Sequence, residues 1–99
     1  LADTLSTYAF PNPFSPINHC AVRIRYSLQA TAEVTIEIYD VASQRVKTLL
    51  AHQSQASGEQ FVPWDGKNER NRLVANGVYF YSVSTQTGLQ AFGKIVILD

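Results

Sequence analysis

Residues 21–28 read AVRIRYSL and residues 33–41 read EVTIEIYDV, two segments in which apolar and polar side chains alternate. The apolar positions are Val22, Ile24, Tyr26 and Leu28 in the first segment and Val34, Ile36 and Ile38 in the second. A period of two is typical of a strand with one buried and one solvated face. Both segments are therefore predicted to be β-strands that contribute every second side chain to a common core.

Further strands are predicted on either side of turn dipeptides. Residues 45–50, 60–64, 78–85 and 91–98 carry the apolar and β-branched side chains that strands favour. They are separated by Ser57-Gly58, Asp65-Gly66 and Asn76-Gly77, whose residues tolerate turn conformations. Residues 48–56 are the least regular part, where one helical turn is an alternative. The pattern predicts an all-β protein, a β-sandwich of six or seven short strands of the immunoglobulin or fibronectin type III kind.

Length and charge exclude several classes of protein. The chain has 99 residues, with eight Lys and Arg balanced by eight Asp and Glu. One compact domain over residues 8–99 is expected, with residues 1–7 as a linker to an upstream domain of the same polypeptide. A nucleic-acid-binding module would show a basic excess. The single Cys excludes an internal disulfide and a Cys-based zinc site, and no apolar run is long enough to span a membrane.

No catalytic or metal-binding group stands out. His19 and His52 lie on different predicted segments, and Glu33 and Glu37 would be about 13 Å apart along a strand, too far to act as a pair. The loop at residues 65–71 is rich in oxygen donors, but its Lys and Arg oppose a calcium site, so an Asx-type turn is favoured. We expect no enzyme activity, no metal and no cofactor.

The aromatic side chains allow two interpretations. Trp64 is the expected core anchor, and Pro63 beside it fits an edge strand or a bulge. Tyr79 and Tyr81 would share one face of their strand, with Phe80 on the other. Packing between the sheets is the favoured use of these rings, and an exposed strip that binds sugars is the alternative.

The order of the motifs resembles a known family. Tyr-Ala-Phe-Pro-Asn-Pro-Phe at residues 8–14 is followed by the two alternating strands, by Trp-Asp-Gly at 64–66 and by Asn-Gly-Val-Tyr-Phe-Tyr at 76–81. The chain closes with Lys-Ile-Val-Ile-Leu at 94–98. This order resembles the type A C-terminal sorting domain of the bacterial type IX secretion system, which is similar to the immunoglobulin-like domain of the flagellar hook-capping protein. The motif positions are Asn12, Pro13, Phe14, Tyr39, Asp40, Trp64, Asp65, Gly66, Gly77, Tyr79 and Lys94.

The resemblance implies a seven-stranded β-sandwich at the end of a secreted, multidomain protein, with a function that involves no catalysis. Members act as an address on a secreted protein, are engaged by the outer-membrane secretion machinery and reach the bacterial cell surface. The segment 77–98 would carry most of the recognition, and an exposed hairpin edge there could be bound by strand addition. Lys94 would contact the partner or guard the edge against aggregation. The alternatives are a structural or glycan-binding or protein-binding accessory domain of an extracellular protein, and a flagellar hook-cap subdomain.

Two departures from the family pattern concern turns. The family often has Gly where Ser43 stands and a second Gly near Asn71. Asn tolerates the left-handed backbone conformation better than Ser does, so Ser43 is the greater departure of the two.

Overall fold

The computed structural model describes residues 5–19 and 21–98, and predictions that concern Cys20 or residues 1–4 lie outside those ranges. The described chain forms seven strands and no helix. The strands are β1 (Thr7–Phe10), β2 (Val22–Leu28), β3 (Ala32–Tyr39), β4 (Arg45–Gln55), β5 (Gly58–Trp64), β6 (Gly77–Thr85) and β7 (Gln90–Ile97). Within the described ranges, nothing resembles an apolar helix long enough to cross a bilayer.

The strands form two antiparallel sheets packed face to face. One sheet has the order β1-β2-β5 and the other has the order β4-β3-β6-β7. The predicted seven-stranded all-β sandwich is therefore confirmed. Pro63 is exposed on β5, at the edge of the smaller sheet, where a missing N–H donor breaks no central ladder.

The core is built from the alternating positions of both sheets. The predicted inward positions of β2 and β3 are all buried, at no more than 5% exposure. Trp64 is 1% exposed and is the largest side chain of the core cluster, as predicted for a core anchor. Tyr81 is equally buried, and its ring lies over Gly93 of the neighbouring strand, where any side chain would collide with it.

The alternative of one helical turn within residues 48–56 is not adopted. β4 continues without a break to Gln55, along the edge of β3. Its register against β3 shifts between Val34 and Tyr39, and His52 takes a φ of 50°. The His52 N–H donates to the Thr35 hydroxyl at 3.1 Å, so a side chain replaces a lost ladder bond. These irregularities disturb the alternation that would have marked a strand in the sequence.

Strand β1 was not among the strands expected from the alternation. It has four residues, and it pairs with β2 from Thr7 to Phe10. The strand begins at Thr7, the last residue of the predicted linker, and Leu5 packs against the core. A strand this short offers too few positions for a periodic pattern.

Candidate functional site

The Asn-Pro-Phe motif lies along the outer edge of β7. The Asn12 side-chain Nδ2 donates to the Lys94 carbonyl at 2.8 Å, and the Val96 N–H donates to Asn12 Oδ1 at 2.9 Å. One amide side chain thus makes the pair of hydrogen bonds that a neighbouring strand would make. Pro13 follows Asn12 and has no N–H, so no backbone donor is left without an acceptor at that position.

Phe14 extends this pairing by its backbone. Its N–H donates to the Val96 carbonyl at 2.7 Å, and the Leu98 N–H donates to the Phe14 carbonyl at 3.0 Å. These bonds form a parallel bridge to Ile97, and the Phe14 ring is fully buried in the core. We name the segment from Asn12 to Phe14 the edge clamp.

The edge clamp corrects the expectation of an exposed hairpin edge. The outward-facing backbone groups of β7 are already occupied from the Lys94 carbonyl to the Leu98 N–H. Strand addition at this part of the edge would first have to displace the clamp. Sequence reasoning missed the pairing because it joins segments more than 80 residues apart and uses a side chain in place of a strand.

A second group of motif residues surrounds Trp64. The indole Nε1 donates to the Lys67 carbonyl at 2.9 Å, and the Lys67 N–H donates to Asp65 Oδ1 at 3.1 Å. Gly66 has a φ of +80°, and a Cβ there would lie 3.2 Å from the Phe14 ring. Gly66 therefore lets the turn close over the buried end of the edge clamp.

The oxygen-rich loop that follows is held by its own backbone. Asn68 Oδ1 accepts the N–H groups of Arg70 and Arg72 at 2.9 and 3.1 Å. These contacts confirm the predicted Asx-type turn. In the part of the chain that the structure describes, no group of three or more His, Cys, Asp or Glu is placed to hold a metal ion.

Tyr79 and Asp40 support the loops at the same end of the sandwich. The Tyr79 hydroxyl donates to the Ala75 carbonyl at 2.7 Å, and its ring meets Trp64 edge-on with a centroid distance of 6.0 Å. Burial raises the pKa of Tyr79, and the Asp40 carboxylate adds to that effect. Asp40 Oδ1 accepts the N–H groups of Ala42 and Gln44, both at 2.9 Å.

The remaining motif residues lie at the surface. Gly77 opens β6 with a φ of 150°, and its surroundings leave space for a side chain. Tyr39 is half-buried and donates its phenol proton to Glu37 at 2.9 Å. Lys94 is exposed on β7, directly opposite Phe80. The motif therefore consists mainly of residues that hold the fold, and Lys94 is its exposed cation.

The aromatic residues divide between core and surface. Tyr79 and Tyr81 are buried and Phe80 is 43% exposed, so the predicted packing role is confirmed for the two tyrosines. Exposed rings lie on both sheets, with Tyr8 and Phe61 on the smaller sheet and Phe80 and Phe92 on the larger one. Which exposed rings lie on the same sheet depends on how the strands pair, and the sequence alone does not determine that pairing.

On the smaller sheet, the exposed rings contact other aromatic side chains. The centroids of Tyr8 and Phe10 are 5.7 Å apart, and Phe10 meets Phe61 edge-on at 6.1 Å. The Arg25 guanidinium lies 5.2 Å from the centre of the Tyr8 ring and forms an ion pair with Glu59. Such cross-strand contacts stabilise a three-stranded sheet.

Comparison with known proteins agrees with this architecture. The sandwich topology defines an immunoglobulin-like domain, and the family model described as FlgD Ig-like domain matches residues 19–88. The chain therefore belongs to the FlgD Ig-like domain family. No curated protein matches the sequence.

Three solved structures share the fold. PorZ of Porphyromonas gingivalis, a bacterial surface component of the type IX secretion system, is 19% identical, with a TM-score of 0.67 over 94% of this chain. Dimeric latent PorU from the same organism is 20% identical, with a TM-score of 0.73 over 95% of this chain. FlgD from P. aeruginosa is 22% identical, with a TM-score of 0.60 over 71% of this chain. This chain spans 11% of PorZ, 9% of PorU and 54% of FlgD.

Proposed function

We propose that this domain is a non-catalytic C-terminal module that directs the protein carrying it through the outer-membrane type IX translocon to the bacterial cell surface. The observation that carries the proposal is the extent of the likeness to PorZ, a surface component of that system, which covers 94% of this chain. The likeness to FlgD covers 71%. Since this chain spans only 11% of PorZ, the fold recurs there as one small part of a much larger protein.

The contacts of the motif residues support a role without catalysis. Asp40 and Asp65 use their carboxylate oxygens to accept backbone N–H groups within turns, and Tyr79 donates to a backbone carbonyl. A general acid or base needs a proton-transfer partner in a site open to substrate. These three side chains instead hold the loops that close one end of the sandwich.

The outward-facing side chains of β6 and β7 are the surface through which the translocon would recognise the domain. The edge clamp occupies the backbone edge of β7 from residue 94 onward, so side chains offer the more direct contact. Lys94 projects from this surface beside the exposed Phe80 and Phe92 rings. A cation next to apolar rings suits a partner that presents both carboxylates and apolar groups.

A reporter fusion tests the proposal. Residues 1–99 are fused to the C-terminus of a reporter that carries a periplasmic export signal, in a host with a working type IX system. The proposal predicts that the fused reporter becomes accessible to protease added to intact cells, and that the unfused reporter stays protected. A fused reporter that is stable, folded and wholly periplasmic would contradict the proposal.

A charge reversal tests the recognition surface within the same assay. Lys94→Glu should lower the surface-exposed fraction of the reporter, because it places an acidic group where the cation contacts the partner. Arg70→Glu is the matched control, since Arg70 is also exposed but lies in the loop between β5 and β6. Equal export of both variants would show that Lys94 makes no contact needed for sorting.

A second candidate function is a subdomain of a flagellar hook cap, favoured by the family match over residues 19–88. Replacing the corresponding domain of a hook-cap protein with this chain, in a flagellated host, tests it. Restored hook assembly and motility would favour the hook-cap function. A non-motile host that still exports the reporter would favour the sorting function.

A further inference from the structure

The outer face of the larger sheet contains a trough whose central residues lie outside the family motif. Three rows of side chains cross β3, β6 and β7 in register: Thr35, Ser84 and Gln90; Glu37, Ser82 and Phe92; and Tyr39, Phe80 and Lys94. The middle position is Ser82, and Ser84 lies next to it on the same face of β6, so small side chains form the floor of the trough between Glu37 and Phe92. The resulting open cavity has a volume of about 430 Å³, within the range of small-ligand sites.

Two phenylalanine rings form the apolar side of the trough. Phe80 is 43% exposed and Phe92 is 69% exposed, on adjacent strands. In contrast to the rings of the smaller sheet, neither of them stacks on another aromatic ring of the described chain. Their faces are therefore available to a ligand.

The polar side of the trough is organised around Glu37. Its Oε1 accepts the Tyr39 hydroxyl at 2.9 Å, and its Oε2 lies 3.4 Å from Arg45 Nη1. The hydrogen bond to Glu37 is the main cause that raises the pKa of Tyr39, while Ser82 bonds the same phenol and opposes the shift. Carboxylate, phenol and serine hydroxyl are thus held together as acceptors and donors beside the rings.

We propose that this trough binds an uncharged saccharide, with a pyranose ring against Phe80 and Phe92 and its hydroxyls on Glu37 and Ser82. A pyranose has apolar C–H faces and a rim of hydroxyl groups, which match aromatic rings beside paired donors and acceptors. The carboxylates of Glu37 and Asp40 line the trough, Arg45 pairs with Glu37 at 3.4 Å, and Lys94 stands at the end of the row through Phe80. These two acids and two bases balance, so the site favours an uncharged ligand over an ionic one. The saccharide site shares Phe80 and Phe92 with the surface proposed for recognition by the translocon, but sugar binding does not depend on sorting.

Native affinity electrophoresis of the 99-residue chain tests the proposal. The gels contain laminarin, hydroxyethylcellulose, xyloglucan or glucomannan as uncharged probes, and alginate as an acidic one. At least one uncharged polymer should slow the chain, and it should do so more strongly than alginate. If no uncharged polymer slows the chain, or if alginate alone does, the proposal is overturned.

Three variants locate the binding. Phe92→Ala should weaken the binding about tenfold, since it removes one stacking face, while Phe92→Trp should retain it. Phe61→Ala is the matched control, because Phe61 is 48% exposed on the other sheet. Circular dichroism establishes that each variant is folded. Equal losses in Phe61→Ala and Phe92→Ala, or no loss in Phe92→Ala, would place the binding elsewhere and overturn the assignment.

Discussion

The strained residues of the fold are those that carry a Cβ and adopt the left-handed backbone conformation. Among the described non-glycine residues, Ser43 and Asn71 have a φ of 63° and His52 has a φ of 50°. The family similarity indicated Gly at or near Ser43 and Asn71, and the structure accounts for that preference, since Gly adopts this conformation without a steric cost. Asn71 relieves part of the strain because Asn tolerates the region better than other side chains.

Ser43→Gly should stabilise the protein by about 1 kcal/mol, since a left-handed conformation costs a residue with a Cβ about 1–2 kcal/mol. Urea unfolding followed by tryptophan fluorescence measures the change. Ser54→Gly is the control within strand β4, where the added backbone freedom should destabilise the protein by about 0.5–1 kcal/mol. A destabilised Ser43→Gly would show that the serine side chain has a role that outweighs the backbone strain.

Gly66 combines a left-handed conformation with a close contact, and the two contributions can be separated. Gly88→Ala should cost about 1–2 kcal/mol from its φ of +94° alone, because nothing lies within 4 Å of its added Cβ. Gly66→Ala should cost about 1–3 kcal/mol more, since its Cβ would crowd Phe14 and Pro16 at 3.2 Å. Equal losses of unfolding free energy in the two variants would contradict the contact between this turn and the edge clamp.

At the scale of the strands, the edge clamp determines which part of β7 is accessible. The Asn12 amide and the Phe14 backbone make four hydrogen bonds to β7 between Lys94 and Leu98. The clamp protects the last strand from edge-to-edge association, which is one of the two roles that the sequence allowed for Lys94. The three motif residues from Asn12 to Phe14 therefore act as a substitute strand.

Asn12→Ala should remove two of these bonds and lower the free energy of unfolding by about 1–3 kcal/mol. The Val96 amide should exchange its hydrogen faster, because its acceptor is Asn12 Oδ1. Hydrogen exchange followed by NMR measures the exchange rate of the Val96 amide, and the slowest-exchanging amides of the core report the free energy of unfolding.

Asn18→Ala is the matched control for the clamp variant. It loses a side-chain hydrogen bond to Ser15 but does not touch β7. The Val96 amide should keep its protection in this variant. Unchanged Val96 exchange in Asn12→Ala would contradict the edge clamp.

The strands could be predicted wherever their alternation was regular. The inward residues of β2 and β3 follow the pattern position by position, because one face of each strand is buried. The part of β4 beyond Leu50 was not predicted because its register against β3 shifts. Strand β1 was not predicted because it is only four residues long. The edge clamp and the trough depend on pairing between distant strands, and a single sequence contains no local signal for either.

At the scale of the whole molecule, the packed core contains tyrosines that must stay protonated. Tyr26 is fully buried, and burial raises its pKa to about 12. Burial also raises the pKa of Tyr81, an effect opposed by its hydrogen bond to Thr7. Ionising either phenol inside the sandwich would place a charge in an apolar environment.

The stability of the fold should therefore fall above about pH 10, where tyrosine in the unfolded chain begins to ionise. The unfolded state binds fewer protons than the folded state between pH 10 and the pKa of about 12 of Tyr26, so each step up in pH favours unfolding. Urea unfolding measured from pH 8 to pH 12 should show this loss, and Tyr26→Phe should reduce its slope. The same slope in the variant and the original chain would contradict the burial of a protonated Tyr26.

The surface-exposed fraction of a reporter fused to residues 1–99 is the most direct test of the sorting function. It is measured by protease accessibility in two strains that differ only in the type IX translocon. The proposal predicts a reporter exposed on intact cells of the competent strain and retained in the periplasm of the other. An equal distribution in the two strains would contradict the assignment of this immunoglobulin-like domain as an export address.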